Sequence, residues 1–318
     1  MEARVKIDGH AIDLSNRDKL FFPEAGLTKG AIVAYYERIA DTMLPHLRRY
    51  GVSMQRFPDG IQGKSFYHKD TPEHFPTWIQ RVDFPRRKGG RFKAPVVDSK
   101  AALVYLADQA VLTHHLYLAR TDDLEHPDKM IYDLDPPEKA ARAALARQAA
   151  LDMRDVLGEL DLQAWVQTTG SKGFHVVVPL DRRADFEEVR AFAQDTALLL
   201  ARRRPERYTV EQRKDKRKGR VFLDTLRNAY GATAVAPYAV RGRPGAPVAT
   251  PLDWHEVQRG AAPGRWTVTN MFKRLAQKED PWADLMRHAR SLSRRRKPLK
   301  DLLDRETPLP DEKKSGAD

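Results

Sequence analysis

The chain has 318 residues and no cysteine, which excludes disulfides, thiol nucleophiles and every zinc site that needs thiolate ligands. With 41% hydrophobic and 31% charged residues, its composition is typical of a water-soluble globular protein with an ample core. No apolar run approaches the ~18 residues of a membrane helix, and the N-terminus lacks the apolar core of a signal peptide. We therefore expect a cytoplasmic protein without a membrane partner.

The net charge is +12, from 56 Lys and Arg residues against 44 Asp and Glu residues. The positive excess is concentrated in residues 202–220 and in residues 285–300. Clustered basic residues favour binding to a polyanion such as nucleic acid. The alternative is that both segments are solvated faces of the protein.

The first half of the chain predicts short strands and two helices. In chain order, these elements are an alternating edge strand over residues 5–14, a helix that follows the N-cap Thr28 and ends or kinks at Pro45, a hairpin over residues 52–67, a basic loop over residues 84–95 and a helix over residues 101–116. The apolar spacing of the first helix places Ile32, Tyr35, Tyr36 and Ile39 in the core.

The second half alternates strands with longer helices. Its predicted elements are a strand over residues 130–135 that Pro136 ends, a helix over 138–160, strands over 164–168 and 175–180, a helix over 186–203, strands over 221–224 and 233–240, and two short helices within 270–292. This order predicts an α/β fold in one domain over residues 1–300. The charged remainder, residues 301–318, is expected to be disordered.

Two aspartates, Asp133 and Asp135, end the strand over residues 130–135. Because they are two residues apart on a strand, they point to the same face and repel each other unless a cation lies between them. Carboxylate oxygens are ligands for hard divalent ions. Asp224, at the end of another apolar strand, would be a third ligand. The alternative is that these residues are solvent-facing aspartates at strand exits.

A glycine-containing loop over residues 169–173 joins two predicted strands and is followed by His175. Glycines let backbone amides approach an anion, while Lys172 and His175 add charge and further donors. The spacing is not that of a Walker loop or of a dinucleotide fingerprint. An ordinary glycine turn between strands is an equally good interpretation of the loop alone.

Together these motifs resemble a known family. Its characteristic segments are Tyr-Asp-Leu-Asp-Pro-Pro at residues 132–137, Thr-Thr-Gly-Ser-Lys-Gly-Phe-His at 168–175, and the segments at 219–228, 236–241 and 246–254. In order and spacing they resemble the polymerase domain of bacterial ligase D, an end-joining member of the archaeo-eukaryotic primase superfamily. The resemblance covers residues 5–292. It implies a primase-like α/β (α+β) fold, with central, mostly antiparallel sheets flanked by helices.

The resemblance implies a template-directed nucleotidyltransferase of non-homologous end joining. Such an enzyme fills gaps and extends ends by two-metal catalysis with Mn²⁺ or Mg²⁺, and it prefers ribonucleotides (NTP) to deoxyribonucleotides (dNTP). Its implied partners are double-strand-break ends, as gapped or 3′-overhang DNA with a 5′-phosphate, together with a Ku-like protein and a separate ligase. Its expected location is the nucleoid within the cytoplasm.

The resemblance also assigns residues to roles. Catalysis and metal binding fall to Asp133, Asp135 and Asp224. The incoming nucleotide would contact a larger set: Asn16, His115, Thr169, Ser171, Lys172, Gly173, His175, Arg227, Thr233 and Arg241. The neighbouring His114 is expected to be structural. Two departures from the family pattern concern phosphate binding: Gln55 stands where relatives have a basic residue, and Thr169 stands where serine is usual.

For DNA, the resemblance assigns Lys19 and Lys29 to the downstream 5′-phosphate. The helix N-terminus at Lys29 favours an anion independently. Phe66 and Tyr67 would stack against the template, and Arg217 and Arg220 would contact template or primer. The alternatives are that both lysines are ordinary exposed cations and that the aromatic pair belongs to the core.

Three other interpretations of the sequence are alternatives to a polymerase. Lys6 lies in a Lys-x-Asp-Gly sequence like that of the ATP-dependent ligase nucleophile, but too little chain precedes it to build a nucleotide pocket. A non-catalytic DNA-end-binding protein would explain the charge, yet not the three aspartates that repel phosphate. A metal-dependent nucleotide-sugar transferase also uses Asp-x-Asp, but it needs no basic segments. The Met1 start and the charged tail favour a stand-alone polymerase module over an excised one.

Overall fold

Two central sheets, each covered by helices, make up most of the molecule. The computed structural model describes residues 3–87, 89–138 and 142–309. The helices are α1 (Lys29–Leu47), α2 (Lys100–Asp108), α3 (Arg142–Glu159), α4 (Phe186–Arg203), α5 (Trp254–Gln258), α6 (Met271–Leu275) and α7 (Arg296–Arg305). Short 3-10 turns occur at Pro23–Ala25, Lys214–Lys216, Leu226–Asn228, Leu285–His288 and Ser293–Arg295.

The strands are short, as expected for antiparallel sheets. They are β1 (Ala3–Ile7), β2 (His10–Leu14), β3 (Leu20–Phe22), β4 (Leu27–Thr28), β5 (Tyr50–Arg56), β6 (Phe66–His68), β7 (Arg81–Pro85), β8 (Arg91–Pro95), β9 (Val111–Arg120), β10 (Asp123–Pro127), β11 (Lys129–Asp135), β12 (Trp165–Thr168), β13 (Phe174–Pro179), β14 (Tyr208–Thr209), β15 (Val221–Asp224), β16 (Thr233–Val235) and β17 (Pro251–Leu252). The predicted strands and helices of the second half are largely confirmed.

The first sheet is organised around β9. This strand pairs antiparallel with β5 along one edge, β6 continues the sheet beyond β5, and β16 and β10 pair with β9 along the other edge. Helices α1 and α2 bury their apolar faces in the core beside this sheet, with Ile32, Tyr36 and Ile39 fully enclosed. The Thr28 hydroxyl accepts from the Ala31 amide at 3.3 Å and begins α1 as predicted. The helix continues through Pro45 to Leu47, although proline has no N–H to donate to the preceding turn.

Three sequence predictions for the first half are wrong. Residues 84–85 and 91–95 belong to the paired strands β7 and β8 and not to a loop, and Phe84 stacks on Phe92 at 5.4 Å between ring centroids. Residues 101–116 form α2 and then β9, because a continuous apolar stretch has no period that separates a buried strand from a helix. The single strand over residues 5–14 is a hairpin of β1 and β2.

The second sheet has the order β14-β15-β11-β13-β12-β17, and all its pairs are antiparallel except β14 with β15. Met130, Tyr132 and Leu134 on β11 lie in the core that α3 and α4 share with this sheet. Because side chains alternate along a strand, Asp133 and Asp135 lie on the opposite face. On that opposite face, Ile131 packs with residues of the first sheet. The two aspartates are therefore placed between the two sheets.

The C-terminal part of the described chain packs against the second sheet's helices. Arg203 at the end of α4 pairs with Glu306, just beyond α7, at 2.9 Å. The predicted boundary at residue 300 thus falls inside a helix, and residues 310–318 of the predicted tail lie outside the described residues. None of the described helices is long and apolar enough to cross a membrane.

Candidate active site

A row of polar side chains crosses the second sheet. Gln167 on β12 pairs in register with His175 on β13, His175 pairs with Asp133 on β11, and Asp133 pairs with Asp224 on β15. Directly opposed residues on neighbouring strands share one face, with Cβ atoms about 5 Å apart. Asp135 lies two positions further along β11, on the same face. The sheet therefore brings together the three aspartates that the sequence singled out.

Two side chains, those of Arg227 and His175, contact the Asp133 carboxylate. The Arg227 guanidinium donates from Nε and Nη2 to Asp133 Oδ2 at 3.2 and 3.1 Å. His175 Nε2 lies 3.5 Å from the other oxygen, Oδ1. Burial alone would raise the pKa of Asp133, but His175 and Arg227 outweigh burial and hold it at about 2. Asp133 is thus kept ionised.

The pKa values of the other two aspartates, Asp135 and Asp224, are raised. Burial raises the pKa of Asp135 to about 6, and the charges of Asp133 and Asp224 add to the shift. Burial also raises the pKa of Asp224, although the Leu226 amide, 2.7 Å from Oδ1, opposes the shift. Negative potential is therefore concentrated at this corner of the sheet, where a cation would relieve it.

The donor set suits a hard divalent ion, because carboxylate oxygens are the ligands that Mg²⁺ and Mn²⁺ take. As they stand, no three His, Asp or Glu side chains within the described ranges are arranged to hold a metal ion. The Arg227 guanidinium binds one oxygen of Asp133 in this arrangement. Asp133, Asp135 and Asp224 fit a divalent ion in chemistry and in their shared face.

A cavity of about 310 Å³ opens above Asp133 and Asp135, a size typical of small-molecule sites. It is lined from both sheets, and its cations are Lys172, Arg227, Arg241 and Arg243. Every residue predicted to bind the nucleotide lines this cavity except Asn16. Those lining residues are His115, Thr169, Ser171, Lys172, Gly173, His175, Arg227, Thr233 and Arg241.

The glycine loop is held tightly against β11. A Cβ atom on Gly173 would lie 2.1 Å from the carbonyl oxygen of Leu134, so only glycine allows this approach. Gly170 has a φ of 63°, a conformation that side chains disfavour. The Thr169 hydroxyl bonds within the loop, donating to Gly173 O at 3.2 Å. Arg241 Nη1 donates to Thr169 O at 3.1 Å and anchors the loop to the cavity wall.

The two neighbouring histidines of β9 have different surroundings. His115 lines the cavity, and its ring centroid is 5.3 Å from that of Tyr67. Burial and the charges of Arg241 and Arg227 hold the pKa of His115 well below its usual range, so it is neutral. His114 is fully buried against Tyr36, and burial lowers its pKa to about 3. This position agrees with the structural role expected for His114.

Of the residues predicted to contact template or primer, Tyr67 lines this cavity and Phe66 precedes it on β6. Phe66 and Tyr67 on β6 are 42% and 57% exposed, so they are not core residues. Gln55 pairs with Tyr67 in register. The Arg217 guanidinium lies 3.9 Å from the ring centroid of Phe222. With Arg220, Lys214 and Lys172, Arg217 lines a second, basic cavity of about 470 Å³ on another side of Asp135.

The three residues near the start of α1 form a separate cluster. Asn16 has a φ of 51°, and its carbonyl accepts from the Lys19 amide at 3.0 Å, so Asn16 lies beside Lys19. The side chain of Lys19 is 40% exposed and pairs with Asp59 at 2.6 Å. Lys29, only 4% exposed, pairs with the buried Asp108 at 2.6 Å and donates to Ser15 O at 2.7 Å. Lys19 is therefore an exposed cation, and Lys29 is not.

The Lys-x-Asp-Gly sequence has a structural explanation. Asp8 and Gly9 have φ values of 47° and 81° and form the tight turn between β1 and β2, for which Asp-Gly is a preferred pair. The Asp8 carboxylate accepts from the Ala101 amide at 3.0 Å, at the N-terminus of α2. Lys6 is an exposed residue of β1.

Sequence reasoning missed three residues of the site. Gln167 bonds to His175, and Arg243 lines the cavity. Asn228 bonds through its side chain to both the amide and the carbonyl of Ile131, each at 2.8 Å. It thereby extends the backbone pairing of β11 beyond the end of β15. Asn228 stands inside a segment that carried the family resemblance, whereas nothing in the sequence marks Gln167.

Comparison with known proteins agrees with this geometry. The family model described as "LigD, primase-polymerase domain" matches residues 28–282. The chain is 34% identical over 275 residues to the multifunctional non-homologous end joining protein LigD of Pseudomonas aeruginosa, covering 86% of the chain and 32% of that protein. It is 29% identical over 278 residues to the bifunctional LigD of Bacillus subtilis, covering 87% and 44%. The chain thus spans less than half the length of these curated relatives.

The fold has a close structural counterpart. It matches the polymerase domain from Mycobacterium tuberculosis ligase D, solved in complex with DNA, with a TM-score of 0.81 and 30% sequence identity. The match covers 87% of this chain and 98% of that domain. The expected primase-like architecture of antiparallel sheets flanked by helices is confirmed. By sequence and by fold, the chain therefore belongs to the LigD primase-polymerase family of non-homologous end joining, whose chemistry is nucleotidyl transfer.

Proposed function

We propose that this chain is a template-directed polymerase that fills gaps and extends 3′ ends at broken DNA, adding ribonucleotides in preference to deoxyribonucleotides. The observation that carries the proposal is the meeting of two kinds of side chain in one cavity. Asp133 and Asp135 line this cavity together with four cations, and Asp224 pairs in register with Asp133 on the same sheet face. Carboxylates serve a metal-assisted phosphoryl transfer, and the cations serve the phosphates of a nucleoside triphosphate.

Asp133, Asp135 and Asp224 would hold two divalent ions, Mn²⁺ or Mg²⁺. When bound, these ions would supply the charge that activates a primer 3′-hydroxyl and neutralises the phosphates. The chain's own cations would orient the nucleotide. Lys172, within the glycine loop, and Arg241, which is bonded to that loop, would contact the triphosphate together with Arg227 once it has left Asp133. Because Gln55 carries no charge, binding of the triphosphate would depend on Lys172, Arg227 and Arg241.

DNA would bind around the cavity mouth. The M. tuberculosis polymerase domain was solved with DNA, and this chain carries the exposed aromatic side chains Phe66 and Tyr67 and a basic cavity beside Asp135. The aromatic pair would stack on the template. The exposed Lys19 would bind the downstream 5′-phosphate, whereas Lys29 is buried against Asp108. A Ku-like protein and a separate ligase would complete end joining, because the curated relatives are longer, multifunctional proteins.

The test is primer extension on a gapped duplex with a downstream 5′-phosphate, in Mn²⁺ and then Mg²⁺, with ribonucleotides and deoxyribonucleotides compared. We expect templated addition by the wild type and none by Asp135→Asn. The matched control is Asp83→Asn, which changes an exposed aspartate on β7. DNA binding, measured by fluorescence anisotropy, should persist in both variants and weaken steeply with salt.

Two outcomes would contradict the proposal. Equal binding of DNA by wild type and Asp135→Asn without extension by either would favour the non-catalytic end-binding protein. Transfer from a nucleotide sugar in the absence of DNA would favour the sugar transferase.

A further inference from the structure

The side chain of Gln167 connects the two sheets at the cavity. Gln167 is 1% exposed on β12 of the second sheet. Its Nε2 lies 3.1 Å from the carbonyl oxygen of Val235 on β16 of the first sheet and 3.2 Å from Nδ1 of His175. Val235 in turn pairs in register with His115. One amide group therefore joins β13, which carries His175, to β16, whose neighbour β9 carries His115.

The chemistry of these contacts fixes the orientation of the amide. A backbone carbonyl oxygen only accepts hydrogen bonds, so the NH₂ end of Gln167 must face Val235. The opposite orientation would place two oxygens against each other. In the orientation observed, Oε1 is buried and finds no hydrogen-bond partner among the described residues.

The orientation of Gln167 determines the proton on His175. An amide N–H directed at Nδ1 requires the ring lone pair at Nδ1, and in the neutral ring the proton then resides on Nε2. Nε2 is the atom that lies 3.5 Å from Asp133 Oδ1. The imidazole therefore presents a donor to the carboxylate and to the cavity. The other tautomer would turn a lone pair toward Asp133.

We propose that Gln167 is a positioning residue, which holds His175 in the Nε2–H tautomer and keeps its ring at a fixed distance from the first sheet. The tautomer follows from the hydrogen bonds alone. The effect on catalysis rests on the proposed function, because it requires that the cavity carry out nucleotidyl transfer. For metal-binding imidazoles, loss of the side chain that orients the ring typically lowers activity by about 10- to 100-fold, and we expect an effect of this order here.

The experiment uses the full chain labelled with ¹⁵N-histidine, and the tautomer is read from the ring nitrogen shifts and their long-range proton couplings. A His175→Gln sample assigns the resonance. The variants are Gln167→Met, which keeps the volume but removes the donor, and Gln167→Glu, which offers an acceptor. Thr196→Val is the matched control, since it removes a buried hydrogen bond to Phe192 O on α4.

We expect an Nε2–H ring in the wild type and in Thr196→Val. Gln167→Met should give a mixture of tautomers, and Gln167→Glu should move a proton to Nδ1. In primer extension, Gln167→Met should lower kcat about 10-fold or more while the nucleotide KM changes far less. A wild-type Nδ1–H ring, or an unchanged tautomer in Gln167→Met, would overturn the proposal. A chain that extends no primer would refute the proposed function and still leave the spectroscopic result decisive for Gln167.

Discussion

Arg227 donates from Nε and Nη2 to the same oxygen of Asp133, at 3.2 and 3.1 Å. The guanidinium therefore occupies the carboxylate that a divalent ion needs, and the two cations compete. A unit charge about 4 Å away is worth about 1 kcal/mol even in a water-like medium. We predict that Arg227→Met binds Mn²⁺ on the order of five times more tightly than the wild type in the absence of nucleotide.

Titration followed by electron paramagnetic resonance of free Mn²⁺ measures this competition. Arg243→Met is the control, because Arg243 lines the same cavity but is not among the partners of Asp133. Unchanged or weaker Mn²⁺ binding by Arg227→Met would contradict the prediction.

The burial of Lys29 changes how 5′-phosphate recognition must be tested. Removing one member of a buried ion pair leaves an uncompensated charge, here that of Asp108, and typically costs about 3–5 kcal/mol. We predict that Lys29→Met loses stability of this order in urea unfolding. Lys29→Met/Asp108→Leu should recover part of the loss, because no buried charge then remains.

Lys19 offers the cleaner test because it is exposed. Lys19→Met should change stability by less than about 1 kcal/mol while weakening binding to a gapped duplex that carries a 5′-phosphate. The same duplex without the phosphate should bind wild type and variant equally. An equal loss on both duplexes would refute a role in phosphate recognition.

Asn228 substitutes for a strand partner of β11. Its replacement by alanine leaves the buried amide and carbonyl of Ile131 without their side-chain partners. Each buried unsatisfied group costs about 1–3 kcal/mol, so Asn228→Ala should be destabilised by roughly 2–4 kcal/mol. Thermal unfolding monitored by circular dichroism measures the loss. Stability equal to that of the wild type would show that water or a rearranged strand replaces these bonds.

Replacing Gly173 or Gly158 by alanine tests whether the glycine loop needs a residue without a side chain. A Cβ atom at Gly173 would collide with the Leu134 carbonyl, whereas at Gly158, within α3, nothing lies within 4 Å. Gly173→Ala should therefore displace the loop and weaken nucleotide binding. Gly158→Ala should stabilise the chain by about 0.4–1 kcal/mol and leave nucleotide binding unchanged. Calorimetric titration with a nucleoside triphosphate and thermal unfolding distinguish the two effects.

Glu256 should contribute a pH-dependent part of the stability. Burial would raise the pKa of Glu256, but hydrogen bonds from Arg274 and Lys278 outweigh it and lower the pKa from 4.5 to about 2. Because the folded pKa is depressed, this stabilisation is complete above pH 4.5 and is lost as the pH falls toward 2.

At pH 7 we expect Glu256→Gln to be less stable than the wild type by about 1–2 kcal/mol, with allowance for partial solvent screening. The difference should shrink between pH 4.5 and pH 2. The exposed Glu37→Gln on α1 should match the wild type within about 0.5 kcal/mol at every pH. A Glu256→Gln deficit that does not vary with pH would contradict the linkage.

Much of the site was predictable because it depends on local pattern. Asp133, Asp135 and Asp224 end apolar strands, and strand periodicity alone places the first two on one face. The helix over residues 186–203 was predicted with its observed bounds from its apolar face, and in the structure Asp185 and Glu188 form a capping box at its start.

The rest depends on contacts between distant segments. The sequence does not reveal that Lys29 meets Asp108 and not solvent, or that Gln167 reaches across to Val235. The boundary between α2 and β9 was not predicted, because a strand buried on both faces lacks the alternation of polar and apolar residues that marks a half-exposed strand. The role of Thr169 was also hidden, since only the folded loop directs its hydroxyl back to Gly173.

The Arg227–Asp133 pair joins residues 94 positions apart in the chain. During synthesis, Asp133 and Asp135 therefore leave the ribosome well before the arginine that neutralises them. At a translation rate of about 5–20 residues per second, that delay lasts about 5–20 seconds. Over this interval the nascent chain carries an incomplete cluster of carboxylates that repel one another. The corner of the second sheet that holds the three aspartates thus acquires its arginine only after β15, and long after β11, has been synthesised.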